Sequence, residues 1–260
     1  MKIDNPAFDY DKYGQTYSGT RQTDPRIAEY VFSALEDSKT ILNVGAGTGS
    51  YEPTDRYVSA VEPSSTMRAQ RIKNGKVPAI NATAENLPFD DNSFDASMAM
   101  LTVHHWPDMD KGLKELRRVT KNQILVMTFD PNELDNFWNS YYFPELIEVE
   151  KKRYPLINSI IYSLGGNCEI IPIPIPFDCV DGFQEAFYGR PEAFLKKEVR
   201  LFQSAWGFLS NEVEEKLVKA LEADLISGEW DKKFGHYRTE PSFTCALRLI
   251  ISKPLTKTYK

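Results

Sequence analysis

Three alternate glycines and an acid further along the chain are the residues whose types and spacing best fit a chemical role. Gly45, Gly47 and Gly49 follow one apolar run, and Glu62 ends the next apolar run. Glycine lets a backbone turn sharply and approach a ligand closely, and an acid at the end of the second strand of such a unit accepts hydrogen bonds from ribose hydroxyls. The spacing predicts a site for a nucleoside-containing ligand at the end of a buried strand.

The elements that must position these residues leave little room for a helix. Only residues 50–57 separate Gly49 from the next apolar run, and they include Pro53, so the helix that usually follows such a loop is expected to be very short or missing. In dinucleotide-binding proteins the N-terminus of that helix holds the anionic pyrophosphate. The spacing GxGxG also differs from the dinucleotide fingerprint GxGxxG. Both features disfavour NAD as the ligand.

A further segment narrows the interpretation to a family. Residues 84–95 read AENLPFDDNSFD, and the overlapping run at 94–103 is nearly all small or apolar, which is typical of a central strand covered on both faces. With the GxGxG loop and Glu62 in this order, the chain resembles the class I S-adenosylmethionine-dependent methyltransferases, and among them the type 11 small-molecule group. The resemblance extends over most of the chain and includes DCVDGF at 178–183 and RPEAFL at 190–195.

The resemblance implies S-adenosyl-L-methionine as the cofactor, S-adenosylhomocysteine and a methylated acceptor as products, and no metal. It also implies which residues contact the cofactor, including an N-terminal segment that often folds over it. The implied cofactor-binding residues are Gly45, Ala46, Gly47, Gly49, Glu62, Pro63, Met67, Thr83, Ala84, Glu85, Leu101, Tyr17 and Arg21.

Several of these positions have alternatives or depart from the family pattern. Asn43 and Thr83 each stand where the family commonly has an acid. The backbone around Ala84, or the nearby Glu85, is therefore left to meet the adenine amine. Plain core packing is the alternative for Met67. A surface salt bridge or ordinary packing is the alternative for the N-terminal residues, which are Tyr13, Tyr17 and Arg21.

Methyl transfer from a sulfonium needs alignment of the reactants and removal of water, and no nucleophilic side chain. A base is needed only if the acceptor must lose a proton, and histidine suits that role near neutral pH. His104 and His105 follow the predicted central strand, where the acceptor would approach. Because adjacent residues leaving a strand tend to point to opposite sides, we expect at most one to reach the substrate, and we favour His105. The alternative is that both histidines orient the loop or bond the backbone.

Three further residues are predicted to bind the acceptor, namely Trp106, Arg190 and His236. Arg190 suits an anionic group, although a salt bridge to Asp181 or Glu192 would explain it as well. An exposed loop position is the more ordinary interpretation of His236. The segments rich in aromatic residues indicate a small, partly apolar acceptor, and whether carbon, nitrogen or oxygen is methylated stays open.

The alternation of strands and helices predicts an α/β fold with a mostly parallel sheet. The resemblance implies a Rossmann-like sheet of seven strands with helices on both faces and an antiparallel last strand, placed at 242–252. Residues 77–83 are predicted to form a short strand. The chain, 1–260, is expected to be a single methyltransferase domain with a helical cap. The cap elements are expected in 1–40, 132–166 and 178–210.

The second half of the chain carries three specific expectations. Residues 132–166 are predicted to form long helices rich in aromatic residues, and residues 178–210 are also predicted to be helical. An amphipathic helix is predicted at 211–226. Because proline cannot donate to a strand ladder, the alternating prolines of 168–177 place this sixth strand at a sheet edge or outside the sheet.

Composition excludes several classes of protein. The chain has 31 lysines and arginines against 37 aspartates and glutamates, and its net charge of −6 disfavours nucleic acid as a partner. Cys168, Cys179 and Cys245 are widely spaced, which argues against a disulfide framework or a zinc site and favours reduced, mostly buried thiols. An apolar signal core and a membrane-length apolar run are both missing, so a cytoplasmic protein without a membrane partner is expected. The oligomeric state is open.

Two other functions compete with methyl transfer. An NAD-dependent oxidoreductase is disfavoured by the glycine spacing and by the missing helix. A non-catalytic protein that binds S-adenosylmethionine, or regulates a partner, stays open because methyl transfer needs so few side chains.

Overall fold

The structure of the protein, a computed structural model, describes residues 22–255. The expectations for Tyr13, Tyr17 and Arg21 lie outside the described residues, as does the first part of the cap segment expected in 1–40.

The strands of the described residues are numbered in chain order. They are β1 (Thr40–Val44), β2 (Tyr57–Val61), β3 (Ala96–Met100), β4 (Ile124–Phe129), β5 (Asn167–Pro172), β6 (Ile175–Pro176), β7 (Ser242–Phe243) and β8 (Leu247–Lys253). The helices are α1 (Pro25–Ala34), α2 (Ser65–Lys73), α3 (Met109–Val119), α4 (Asn139–Tyr142), α5 (Pro144–Arg153), α6 (Ile157–Leu164), α7 (Lys197–Leu201), α8 (Asn211–Ser227) and α9 (Glu229–Phe234). Short 3-10 turns cover Val103–His105, Leu134–Asn136, Gln184–Phe187, Pro191–Leu195, Ser204–Phe208 and Gly235–Arg238.

The main sheet has the order β2-β1-β3-β4-β8-β5. β1 to β4 run parallel, and β8 is antiparallel to both β4 and β5. The mostly parallel Rossmann-like sheet and its antiparallel last strand are therefore confirmed. The carboxyl ends of β1, β2, β3 and β4 meet at one edge, which is where open α/β sheets bind their ligands.

The expected number of strands was wrong, because the main sheet has six strands within residues 22–255. The seventh, predicted at 77–83, is reduced to a single parallel bridge between Ile80 and Val61. The Ile80 amide donates to the Ala60 carbonyl at 2.8 Å, and the Ile80 carbonyl accepts from the Glu62 amide at 3.0 Å. Pro78 has no amide to extend this pairing, and Ile80 itself is exposed, so a longer strand would bury little apolar surface.

Both faces of the sheet are covered by apolar residues. Side chains alternate across β4, so that Leu125 and Met127 join one cluster while Ile124 and Val126 join the other. α1 packs on the first face, and α3 and α6 pack on the second. Asp24 caps α1 by accepting from the backbone amide of Arg26 at 3.0 Å, and Pro25 opens the helix, as the sequence predicts.

The helical segments are shorter than expected. The long helices predicted in 132–166 are divided into α4, α5 and α6, since Pro144 opens α5 and the backbone leaves the helix at Tyr154 before Pro155. The segment 178–210, predicted to be helical, consists mainly of 3-10 turns, and Gly189 and Pro191 interrupt it. The helix predicted at 211–226 is confirmed as α8.

The prolines of 168–177 have the predicted effect. β5 lies at the edge of the main sheet, and β6 leaves it to form a separate two-stranded sheet with β7. The last-strand segment predicted at 242–252 is accordingly divided, with β7 in the small sheet and β8 in the main sheet. This arrangement agrees with the rule that proline is confined to edges and strand ends.

The described residues also bear on membrane spans, on the state of the cysteines and on metal binding. Among residues 22–255, no helix combines the length and the apolar character that crossing a membrane requires. The three cysteines are free thiols, with Cys179 and Cys245 buried. Burial raises the pKa of the Cys179 thiol to about 12. Groups of three histidine, cysteine or acidic side chains arranged to hold a metal ion are absent from the same part of the chain.

Candidate active site

The glycine loop lies where the ends of two neighbouring strands meet. Gly45 follows β1, and Leu101 and Thr102 follow the adjacent strand β3. Gly45 has φ +66°, and a Cβ at this position would overlap the Thr102 side chain. Only glycine fits here, because both the backbone conformation and the close approach exclude a side chain.

Glu62 is brought to the same loop by the register of the first two strands, in which Val44 pairs with Val61. One carboxylate oxygen of Glu62 accepts from the Gly47 amide, and the other accepts from the Ser64 amide, both at 2.8 Å. A Cβ on Gly47 would meet no atom of residues 22–255 within 4 Å, so the described part of the chain leaves space beside the loop at this point. Since a carboxylate oxygen can accept more than one hydrogen bond, this cradle fits a ligand that carries ribose hydroxyls.

The helix that usually follows the glycine loop is missing from residues 50–56, as the sequence predicts. A buried ion pair supports the loop instead. The guanidinium of Arg71 donates to the two carboxylate oxygens of Glu52 at 2.7 and 2.9 Å, and the Asn43 side chain donates to Glu52 at 2.8 Å. A Cβ on Gly49 would lie 3.0 Å from both Glu52 and Arg71, so the pair packs directly beneath the loop. The sequence analysis had not singled out this pair.

The other residues that the resemblance implies for cofactor binding differ in their burial and in their contacts. Met67 is buried in the first turn of α2, where its amide donates to the Ser64 hydroxyl at 3.2 Å. Ala84 is buried beside Gly112 of α3, whereas Thr83 is exposed. Glu85 accepts from the Asp108 amide at 3.2 Å. The Ala46 amide donates to the Val61 carbonyl at 3.0 Å. The Pro63 carbonyl accepts from the Arg68 guanidinium at 2.6 Å.

A pocket of about 650 Å³, a volume that includes the solvent at its open mouth, lies beside the glycine loop. Its lining begins at Leu101, a non-glycine residue with φ +53°, and includes His104, His105 and Phe129 at the ends of β3 and β4. The opposite wall comes from the helical segments between 134 and 204. The pocket is therefore formed by strand ends on one side and helices on the other.

Both histidines line this pocket, so the expectation that they point to opposite sides was wrong. They lie on the 3-10 turn Val103–His105, where successive side chains do not alternate as they do in a strand. Their ring centroids are 3.9 Å apart, and the His104 ring is 4.4 Å from the ring of Tyr154. The ring centroid of Phe129 lies 5.4 Å from that of Tyr154 and 5.5 Å from that of Phe183, and these three rings form an aromatic wall of the pocket.

Two buried glutamates that the sequence analysis had missed also line the pocket. The side chain of Gln184 donates to Glu150 at 2.8 Å, and Arg153 lies 3.3 Å from the other carboxylate oxygen of Glu150. Glu185 accepts from the Ala246 amide at 3.2 Å. Burial raises the pKa of both carboxyl groups, that of Glu185 to about 7. Glu150 shares the buried stripe of α5, one turn from apolar neighbours, and this spacing could have revealed it. No comparable pattern surrounds Glu185.

The three residues predicted to bind the acceptor do not line this pocket. The Trp106 ring packs against Gly112, and His236 is exposed with its ring 4.2 Å from Tyr237. Arg190 donates to the backbone carbonyls of Cys179 and Ala186 at 3.0 and 2.7 Å. Arg190 thus fixes the local backbone of 179–190, in place of the salt bridge that was considered as its alternative.

Comparison with known proteins agrees with this geometry. The family model described as "Methyltransferase domain" matches residues 42–127. A protein from Anabaena variabilis, solved as a candidate methyltransferase of an antibiotic biosynthesis pathway, is 32% identical with a TM-score of 0.83, and the alignment covers 90% of this chain and 98% of that one. The YcgJ protein from Bacillus subtilis shares the fold alone, with 17% identity, a TM-score of 0.54 and coverage of 89% and 99%.

A curated relative is the ubiquinone/menaquinone biosynthesis C-methyltransferase UbiE of Pasteurella multocida. It is 29% identical over 141 residues, which cover 45% of this chain and 52% of the relative. The chain thus spans about half the length of the curated relatives it matches. The glycine loop and Glu62 lie inside the matched family model, and the Anabaena variabilis protein is aligned over almost its full length. This chain therefore belongs to the class I methyltransferases, the family whose cofactor is S-adenosyl-L-methionine.

Proposed function

We propose that this chain transfers the methyl group of S-adenosylmethionine, by in-line displacement, to a small and partly apolar acceptor held in the pocket. The observation that carries the proposal is the position of that pocket. It begins at Leu101, next to Thr102, and Thr102 is in contact distance of Gly45 in the glycine loop. A cofactor on the loop and an acceptor in the pocket would therefore meet at one sheet edge.

The residues assigned to the cofactor are those around the glycine loop. Glu62 would accept the ribose hydroxyls, while Gly45 and Gly47 allow close approach of the backbone. Met67 would pack against the adenine, and the backbone around Ala84, or the nearby Glu85, would meet the adenine amine; the side chains of Met67 and Ala84 are buried. When bound, S-adenosylmethionine supplies an electrophilic methyl group on a positively charged sulfur, so the chain needs no nucleophile of its own.

The helical segments between 134 and 208 are proposed to cover the acceptor and exclude water. Four aromatic residues contribute to this wall of the pocket, which suits an acceptor with apolar surface. These residues are Phe137, Tyr154, Phe183 and Phe202. Excluding water aligns the reactants and prevents their loss to hydrolysis.

His105 and His104 are proposed to take a proton from the acceptor if the acceptor must lose one. Their rings line the same pocket, and histidine is the side chain whose ordinary chemistry suits proton transfer near neutral pH. His105 is the favoured candidate, and the Tyr154 ring packs against His104 with 4.4 Å between the ring centroids. The remaining role of His104 would then be to orient its neighbour.

An acceptor screen tests the proposal. The purified chain is incubated with S-adenosylmethionine and a panel of small metabolites, and the release of S-adenosylhomocysteine is measured. The panel includes amines, alcohols, phenols and a quinol, since the Pasteurella multocida relative is named as a quinone-pathway C-methyltransferase. Acceptor-dependent release supports methyl transfer. Release by none of the panel, although S-adenosylhomocysteine binds, favours a non-catalytic binding protein.

A further inference from the structure

Two carboxyl groups in the wall of the pocket are buried, and their surroundings differ. Glu150 and Glu185 come from α5 and from the turn Gln184–Phe187, and the adjacent Gln184 bonds to Glu150. The residue Glu185 is 2% exposed and Glu150 is 6% exposed. Burial of two carboxyl groups in one pocket is costly unless each has a partner.

Both carboxylate oxygens of Glu150 have partners within the protein. Arg153 lies 3.3 Å from one carboxylate oxygen and Gln184 donates to the other at 2.8 Å. Arg153 is held in turn by Ser204 at 2.9 Å and by the ring of Phe208 at 4.9 Å. The charge of Glu150 is therefore largely balanced inside the wall.

Only one of the two oxygens of the Glu185 carboxyl group has a hydrogen bond of ordinary geometry. One carboxyl oxygen accepts from the Ala246 amide at 3.2 Å, and the other has no hydrogen bond of ordinary geometry among residues 22–255, with the Cys245 thiol and the Leu247 amide as its nearest protein donors. A buried polar atom without a partner costs about 1–3 kcal/mol. A hydrogen-bond donor on a molecule in the pocket would recover this cost.

The rest of the lining favours a cation over an anion. Within the described residues, neither lysine nor arginine lines the pocket. Arg153 is paired with Glu150, and the Arg248 charge acts on Glu185 from outside the lining, so a carboxylate or phosphate in the pocket would contact glutamates and no lysine or arginine of the lining. Aromatic faces attract cations through their negative π surface. Phe129 and Phe183 both line the pocket, and their ring centroids lie 5.5 Å apart.

We infer that the acceptor carries an amino group, and that its ammonium form donates to the carboxylate of Glu185, which releases to solvent any proton it holds without the ligand, with the aromatic wall adding to the attraction. Glu185 thus binds the acceptor through its amino group. The inference rests on the proposed function, because it names the chemical class of the molecule that occupies the acceptor pocket.

The test compares three probes that share a phenyl group and a short side chain. They are 2-phenylethylamine, 3-phenylpropanoate and 2-phenylethanol, each titrated by calorimetry into the chain saturated with S-adenosylhomocysteine. The amine should bind at least about tenfold more tightly than the carboxylate, since a hydrogen bond to a charged group contributes about 1.5–3 kcal/mol. Glu185→Gln should lower the amine affinity about tenfold and leave the affinity for the alcohol nearly unchanged.

A matched control is Glu222→Gln, which removes an exposed carboxylate of α8 and should bind all three probes as the parent does. If Glu185→Gln does not fold, Glu150→Gln is the second variant, and it too should weaken amine binding. Equal or tighter binding of the carboxylate, no binding of the amine, or an unchanged amine affinity in the variant would overturn the inference. Failure of the parent to bind S-adenosylhomocysteine would instead count against the proposed function.

Discussion

Glu185 is expected to make the folded chain less stable as the pH rises from about 4.5 to about 7. Burial raises the pKa of its carboxyl group from the ordinary value of 4.5 to about 7, and the Ala246 amide and the Arg248 charge oppose this without cancelling it. In this range the folded chain keeps a proton that the unfolded chain has lost. The free energy of unfolding therefore falls with pH between these values and is independent of Glu185 above them.

The size of the effect follows from the two pKa values. Each pKa unit corresponds to about 1.4 kcal/mol, so Glu185 should lower the free energy of unfolding by about 3 kcal/mol between pH 4.5 and pH 7. Glu185→Gln removes the titration while keeping the size of the side chain and an oxygen for the Ala246 amide. The stability of the variant relative to the parent should thus rise by about 3 kcal/mol across this range.

The assay is urea unfolding of the parent and of Glu185→Gln at a series of pH values from 4.5 to 7.5, without ligand. Burial also raises the pKa of Glu150, but Glu150 is present in both proteins, so its effect cancels in the difference. Glu222→Gln is the control and should follow the parent at every pH. A difference between Glu185→Gln and the parent that stays constant over the series would refute a neutral Glu185 in the folded chain.

Three further predictions concern the cofactor loop, its support and the proposed base. Gly45→Ala should lose binding of S-adenosylhomocysteine and lose about 1–3 kcal/mol of stability, because the new side chain would overlap Thr102; calorimetry and thermal unfolding measure both. Arg71→Met should cost about 3–5 kcal/mol in urea unfolding, since it removes the bidentate partner of the buried Glu52 and leaves only Asn43 and the more distant Lys76, and an unchanged midpoint would contradict this. His105→Ala should lose turnover of an acceptor and keep its affinity for S-adenosylhomocysteine. If turnover survives, His105 has a structural role.

Much of the fold could be predicted because it depends on local patterns. The glycines after β1, the acid after β2 and the nearly unbroken apolar run before His104 each identify a strand end in a parallel sheet. The prolines of 168–177 correctly predicted an edge. The seventh strand was predicted from a few apolar residues at 77–83, but Pro78 and the exposure of this segment reduce it to a bridge.

The pocket could not be predicted as well, because residues far apart in the sequence form it. Glu150 and Glu185 meet the histidine turn only through the packing of short helices, and few local patterns report such contacts. His104 and His105 share one side because their backbone turns, which an extended-strand expectation could not anticipate. Arg190 has the side chain of an anion-binding residue, yet one nitrogen of its guanidinium donates to two backbone carbonyls.

The most direct test of the family's cofactor at this site is calorimetric titration of the chain with S-adenosylhomocysteine and, separately, with NAD. We predict one binding site for S-adenosylhomocysteine and no binding of NAD. Glu62→Lys should abolish the first titration, because it puts an ammonium where the ribose hydroxyls need an acceptor, and Glu222→Gln should leave it unchanged. Binding of NAD without binding of S-adenosylhomocysteine would contradict the account, and unchanged affinity in Glu62→Lys would remove Glu62 from the site.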